Sequence, residues 1–154
     1  MLLGMCCAAS GRAQAPAGRL TAGQIGLVIN TADPYSVAVG AHYIERRRLA
    51  PEQVLRITLP VRGRLSEAEF EPLREAISER FGPNIQALAL AWTAPWAVGC
   101  SSITGALALG LDLALCRQTC ARSYASPYFN SASVRPWSDL GLRPAMLLAA
   151  PSIE

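Results

Sequence analysis

The chain contains no lysine and only one histidine, His42. All fourteen basic residues are arginine, a bias with no folding rationale that reads as codon usage. Against eleven acidic residues they leave a net charge of only +3, and the one basic run is Arg46-Arg47-Arg48. A nucleic-acid surface carries a basic stripe with aromatics set into it, so this distribution excludes one. The run itself reads as a solvated helix end rather than an anion site. Charged residues make up 16% and apolar residues 51%, a balance that excludes disorder over the body of the chain. The sequence also lacks a glycine-rich phosphate loop and a GxSxG nucleophile elbow. No two carboxylates are spaced so as to meet as an acid and base. No cofactor is implied.

Charge is absent altogether between residues 82 and 111. A membrane helix needs about 20 predominantly apolar residues without interruption. Here Pro83, Asn84, Gln86, Pro95, Gly99, Ser101, Ser102 and Thr104 break the run. It reads instead as a buried parallel strand, a loop and a small-residue helix. No transmembrane span is expected in the mature chain.

What is present begins with a leader. Leu2 to Ala9 is apolar, and Ala13-Gln14-Ala15 has the small-x-small form of a signal-peptidase site. A positive n-region is missing, which suggests a start further upstream. Residues 1–17 therefore read as a signal peptide or a disordered leader, with export favoured and a periplasmic or extracellular location expected. Met5 argues against a lipoprotein reading of Leu3-Gly4-Met5-Cys6. Cleavage would leave Cys100, Cys116 and Cys120, an odd set that predicts one disulfide and one free thiol. Cys116-x3-Cys120 is read as that disulfide. A metal site there would need two more ligands, and none cluster nearby.

The rest alternates strand and helix. Gln24–Asn30, Gln53–Leu59, Ile85–Ala91 and Ala145–Pro151 are the strands, the first a compact apolar run ending in polar residues. Asp33-Pro34 is an N-cap followed by proline at the first helical position, and the helix it opens places Val37, Ala41 and Ile44 on one face. Ser66-Glu67-Ala68-Glu69 is a capping box with Leu65 and Phe70 as a hydrophobic staple. Phe70, Leu73, Ile77 and Phe81 follow as an apolar stripe, ended by Gly82-Pro83. A third helix is expected over Gly99–Asp112, and residues 117–144 read as a long loop. The order implies one α/β domain over 22–154. Its architecture is three layers, with a mostly parallel four-stranded sheet and helices on both faces, a Rossmann-like or caspase-like half. The chain stops soon after the last strand, which suggests a longer domain.

In such sheets ligands bind beyond the carboxyl ends of the strands. The candidate rim is Asn30, Thr31, Asp33, Trp92, Thr93, Trp96, Cys100 and Ser152, with Pro60, Arg62 and Glu154 beside them. Trp92 and Trp96 are either a stacking platform for a sugar or peptide or caps on the core. Cys100, near the expected start of the third helix, is a nucleophile only if a base reaches it. His42 sits mid-helix, away from the rim, so Cys100 reads better as a buried small hydrophobe. The aromatic-bearing polar stretch SYASPYFNSASVRPWSD is a further functional loop candidate.

Three stretches together carry a family resemblance: GLVINTADPYSVAVGAHYIERRRLAPEQVLRITLP, IQALALAWTAPWAV and SPYFNSASVRPWSDLGLRPAMLLAAP. Over roughly residues 25–151 the chain resembles an uncharacterised exported bacterial family. That family is found in genomes carrying exosortase, the transpeptidase-like sorting system for proteins with a PEP-type C-terminal signal. The resemblance implies a longer protein and assigns no catalytic residues. The first half is also similar to the caspase-like sheet of bacterial cysteine peptidases, which place His after the third strand and Cys after the fourth. Trp92 and Ser152 stand there instead. The expected function is a binding or accessory module of cell-envelope protein sorting, with an envelope protein or polysaccharide as partner. The alternative is a cysteine or serine hydrolase completed by residues further along.

Overall fold

Leu27, Val28 and Ile29 are apolar on both sides of the pleat, so the strand that holds them must be covered on both faces. In the computed structural model, which describes residues 19–118, 122 and 125–150, that strand is β1, Ile25–Asn30. It lies between β2 (Val54–Ile57) and β4 (Ala87–Leu90), and β7 (Ala145–Leu147) lies outside β4. All three pairings are parallel. The order β2-β1-β4-β7 reverses direction between β1 and β4, as in a doubly wound sheet. The leader, residues 1–17, falls outside the described residues, as do Cys120 and Ser152.

Alternation along the strands sorts the core into two layers. Leu27, Ile29, Ala89 and Ala91 pack toward helix α1 (Pro34–Arg47), with Val39, Tyr43 and Ile44 beside them. Val28, Leu88 and Leu90 pack toward α2 (Glu67–Arg80) and α3 (Ile103–Leu109). The molecule is therefore the expected three-layer α/β fold.

α1 opens as the sequence predicts. The Asp33 carboxylate accepts from the Tyr35 amide at 3.0 Å, and Pro34 occupies the first turn. Its buried face differs from the expected one: Val37 is 46% exposed, whereas Ser36 and Gly40 are buried. Close approach selects this face. A Cβ on Gly40 would fall 2.5 Å from Ile29 Cδ1, so glycine lets the helix backbone rest on the strand. The Ser36 hydroxyl also accepts from the buried Asn30 amide at 2.8 Å.

α2 follows its signals closely. Ser66 caps Glu69, and the Glu69 carboxylate returns to the Ser66 amide at 2.8 Å. Leu65, Phe70, Leu73, Ile77 and Phe81 are all 5% exposed or less. Burying each such side chain contributes about 1.5–3 kcal/mol.

The segment after β4 departs from expectation. The third helix begins at Ile103, not Gly99, because Ser102 takes the N-cap and accepts from the Gly105 amide at 3.0 Å. The residues before it form β5 (Ala97–Val98) and β6 (Ser101–Ser102), joined by a turn with Gly99 at φ +54°. With β3 (Arg64–Leu65) they make a second, three-stranded sheet. Residues 117–144 are not all loop either. A short α4, Ala114–Arg117, precedes them, and α5, Pro136–Leu140, lies within. The α5 amides of Trp137 and Ser138 donate to Oε1 of buried Gln86 at 3.1 and 3.2 Å, so its cap comes from another part of the chain.

The outer strands of the main sheet differ. β2 exposes Arg56, and Arg80 Nε donates to the Val54 carbonyl at 3.0 Å. β7 is uncharged, with Met146 58% exposed.

Candidate functional site

The rim beyond the strand ends comprises three chain turns around the β1/β4 switch point. Asn30 ends β1 fully buried, and its side chain is consumed by backbone. Nδ2 donates to the Leu59 carbonyl at 3.1 Å, while Oδ1 accepts from the Leu59 and Ala32 amides at 2.9 and 3.1 Å. It clamps the end of β1 to the turn after β2. Thr31 is exposed and shares a 2.8 Å hydroxyl contact with Thr58. Asp33 is only 8% exposed and serves as the α1 cap.

Two tryptophans four residues apart have opposite fates. Trp92 is fully buried, and its indole Nε1 donates to the Pro95 carbonyl at 2.8 Å. It is a core residue, as one of the two sequence readings held. Trp96 is 51% exposed. Its indole lies on the Gly63 backbone, where a Cβ would fall 2.9 Å from Nε1. The Arg64 guanidinium sits over the ring at 5.8 Å from its centroid and also donates to the Gly99 carbonyl. The shared stacking platform is therefore not formed: one indole is presented and rigidly backed, the other seals the core. Thr93, between them, is exposed.

Cys100 is bonded to Cys116, with Cα atoms 5.4 Å apart. This corrects two expectations. Cys116 cannot also pair with Cys120, and Cys100 is neither a buried thiol nor a nucleophile while the bond is intact. The left-handed Gly99 turn carries Cys100 against α4, where Leu113 and the Cys116 sulfur are its neighbours. His42 is exposed on α1. The thiol form of the hydrolase reading thus loses its nucleophile, and its hydroxyl form rests on Ser152, outside the described residues. Among the described residues no group of three His, Cys, Asp or Glu side chains could hold a metal. No described helix is long and apolar enough to cross a membrane.

Beside the rim, Arg62 pairs with Glu69 at 2.6 Å. Hydrogen bonds from the Ser66 amide and hydroxyl, then from Arg62, lower the Glu69 carboxyl from 4.5 to about 2.

A second concavity lies on the other side of α3. It is a cleft of about 290 Å³ between α2, α3 and α5, lined by Ile77, Leu88, Leu107, Leu109, Trp137 and Arg143 among others. Arg143 is only 5% exposed. Its Nε donates to the Ile85 carbonyl at 3.0 Å, and Nη2 to those of Phe81 and Gly82 at 2.6 and 3.0 Å. The Trp137 ring stacks on it at 3.7 Å. Burial lowers the guanidinium from its ordinary pKa. Sequence reasoning passed over Arg143 and Gln86. The available signal was a polar residue standing alone at the border of an apolar strand in each case. Compared with protein-family models, curated proteins and solved structures, the chain matches none.

Proposed function

We propose that this chain is an exported α/β binding module, an accessory in the sorting of proteins to the cell envelope, and that the Trp96 turn is its contact surface. The observation that carries this reading is the state of Trp96. A half-exposed indole is backed by Gly63 and flanked by Arg64, so it is presented without freedom to collapse. Rigid aromatic side chains with an adjacent arginine are the usual anchors of recognition surfaces. The Cys100–Cys116 bond lies in the same small-sheet region and supports an oxidising compartment, hence export. The link to envelope sorting rests on the sequence resemblance over residues 25–151. The partner is an envelope protein or polysaccharide.

The test is retention of the purified full chain on an envelope fraction before and after protease treatment of that fraction. Wild-type protein is retained. Trp96→Ala weakens retention about 30-fold, the cost of a tryptophan anchor, while Arg46→Ala on the far helix end does not. Retention that survives protease assigns polysaccharide, and retention that protease removes assigns protein. Equal retention of Trp96→Ala and wild type would refute the reading.

A further inference from the structure

We propose that the cleft between α2, α3 and α5 binds a small carboxylate carrying an apolar chain, with Arg143 as the group that receives its charge. A guanidinium does not lose its proton in a protein, so Arg143 is a cation held at 5% exposure. A buried cation without a counter-charge is costly. The described ion pairs are Arg62–Glu69 and Arg74–Glu71, and neither involves it. Its three protein partners are neutral carbonyls; those of Phe81 and Gly82 lie at the C-terminal end of α2, whose negative pole offsets part of the charge, and that of Ile85 lies just before β4.

The geometry leaves one nitrogen over. Nε and Nη2 are used, and Nη1 has no partner among the described residues. No fully buried side-chain nitrogen there lacks a partner, so Nη1 is not sealed in protein. Arg143 lines the cleft, and with Nε and Nη2 taken, Nη1 is the nitrogen left for a ligand. Trp137 holds the plane of the group at 3.7 Å. A second cation, Arg74, stands on the same cleft at 57% exposure. Its pair with Glu71 is exposed and therefore weak, which leaves Arg74 able to turn toward an anion.

The walls decide the rest of the ligand. Ile77, Leu88, Leu107, Leu109 and Leu142 are apolar. These walls suit a hydrocarbon chain, while Arg143 and Arg74 supply the positive charge for an anionic end. A volume of about 290 Å³ lies at the small end of ligand pockets, which favours a medium-length chain. One negative charge at one end of such a chain matches the cleft.

The probe is sodium octanoate, titrated into the full chain and followed by amide and side-chain NMR. Octanol and inorganic phosphate are run beside it. Octanoate should bind saturably and move the Arg143 Nε–H and Trp137 indole signals. It should bind at least about tenfold more tightly than either comparison compound, the worth of one charge-assisted hydrogen bond. Ala108→Phe fills the cleft from α3 without altering Arg143 and should weaken binding at least about tenfold. If that variant does not fold, Arg74→Glu decides the matter. A loss of at least about threefold supports the site, and no change overturns it. Octanol or phosphate binding as tightly, signals moving elsewhere, or unaltered binding by folded Ala108→Phe would each overturn the proposal. Trp96→Ala should bind octanoate like wild type, which keeps this test separate from that of the rim.

Discussion

Severing the bond between Cys100 and Cys116 should lower the thermal midpoint of the protein by about 6–12 °C. The two cysteines are 16 residues apart. Closing a loop of that length removes about 10 cal/mol/K of chain entropy from the unfolded state, or about 3 kcal/mol at 25 °C. For a domain of this size each kcal/mol moves the midpoint by about 2–4 °C. The local consequence is specific. α4 spans only Ala114–Arg117 and is too short to persist alone, so its place against the Gly99 turn depends on the bond. Calorimetry of the full chain with and without a phosphine reductant measures the shift. Under reducing conditions wild type, Cys100→Ser and Cys116→Ser should melt together. Without reductant Cys120→Ser should keep the wild-type midpoint. Iodoacetamide should spare Cys100 in the folded, oxidised protein. Two results would refute the reasoning: a wild-type midpoint indifferent to reductant, or an oxidised Cys120→Ser variant that melts like the reduced protein, which would place Cys120 in the bond.

Other expectations rest on single contacts. Glu69→Gln keeps the capping geometry and removes the charge. The Glu69 carboxyl is lowered from 4.5 to about 2, so its stabilising effect is complete above 4.5 and disappears as pH falls toward 2. The gap in urea midpoint between wild type and Glu69→Gln should be flat above pH 5 and close by about pH 2, and added salt should narrow it. A gap that widens on acidification would reverse the sign of the argument. Asn30→Ala strips partners from the Leu59 amide and carbonyl and the Ala32 amide. It should cost about 2–4 kcal/mol in denaturant unfolding, and a loss below about 0.5 kcal/mol would mean water replaces the clamp. Gly40→Ala drives a methyl against Ile29 and should cost about 1–3 kcal/mol, partly restored by Ile29→Val in the double variant.

The main sheet was legible because its strands advertise burial on both faces. Leu27-Val28-Ile29 and Leu88-Ala89-Leu90 have no polar alternate positions, and only a covered parallel sheet accommodates that. α2 was legible because its cap, staple and stripe agree. The small sheet was not, since strands of two residues such as Ala97–Val98 have no period to read. The face of α1 was misjudged because hydrophobicity ranks Val37 above Gly40, while close packing on Ile29 needs the glycine. The cysteine pairing depended on a turn at Gly99 that brings distant segments together, and nearness in sequence pointed to the wrong partner. The roles of the individual rim residues were not legible. Asn30, Asp33 and Trp92 are occupied with holding the chain, whereas Trp96 presents an aromatic side chain to solvent.

The unlike margins of the main sheet have a consequence for self-association. On one margin a guanidinium already holds a strand carbonyl and a second arginine stands outward, so an incoming strand would have to displace one charge and desolvate another. The opposite margin, Ala145–Leu147, is short, carries no charged side chain and has no arginine on it among the described residues, and its methionine is 58% exposed. Among the described residues, growth of this sheet by strand addition is therefore favoured at the β7 margin, and a Met146→Lys exchange would place a charge there as well.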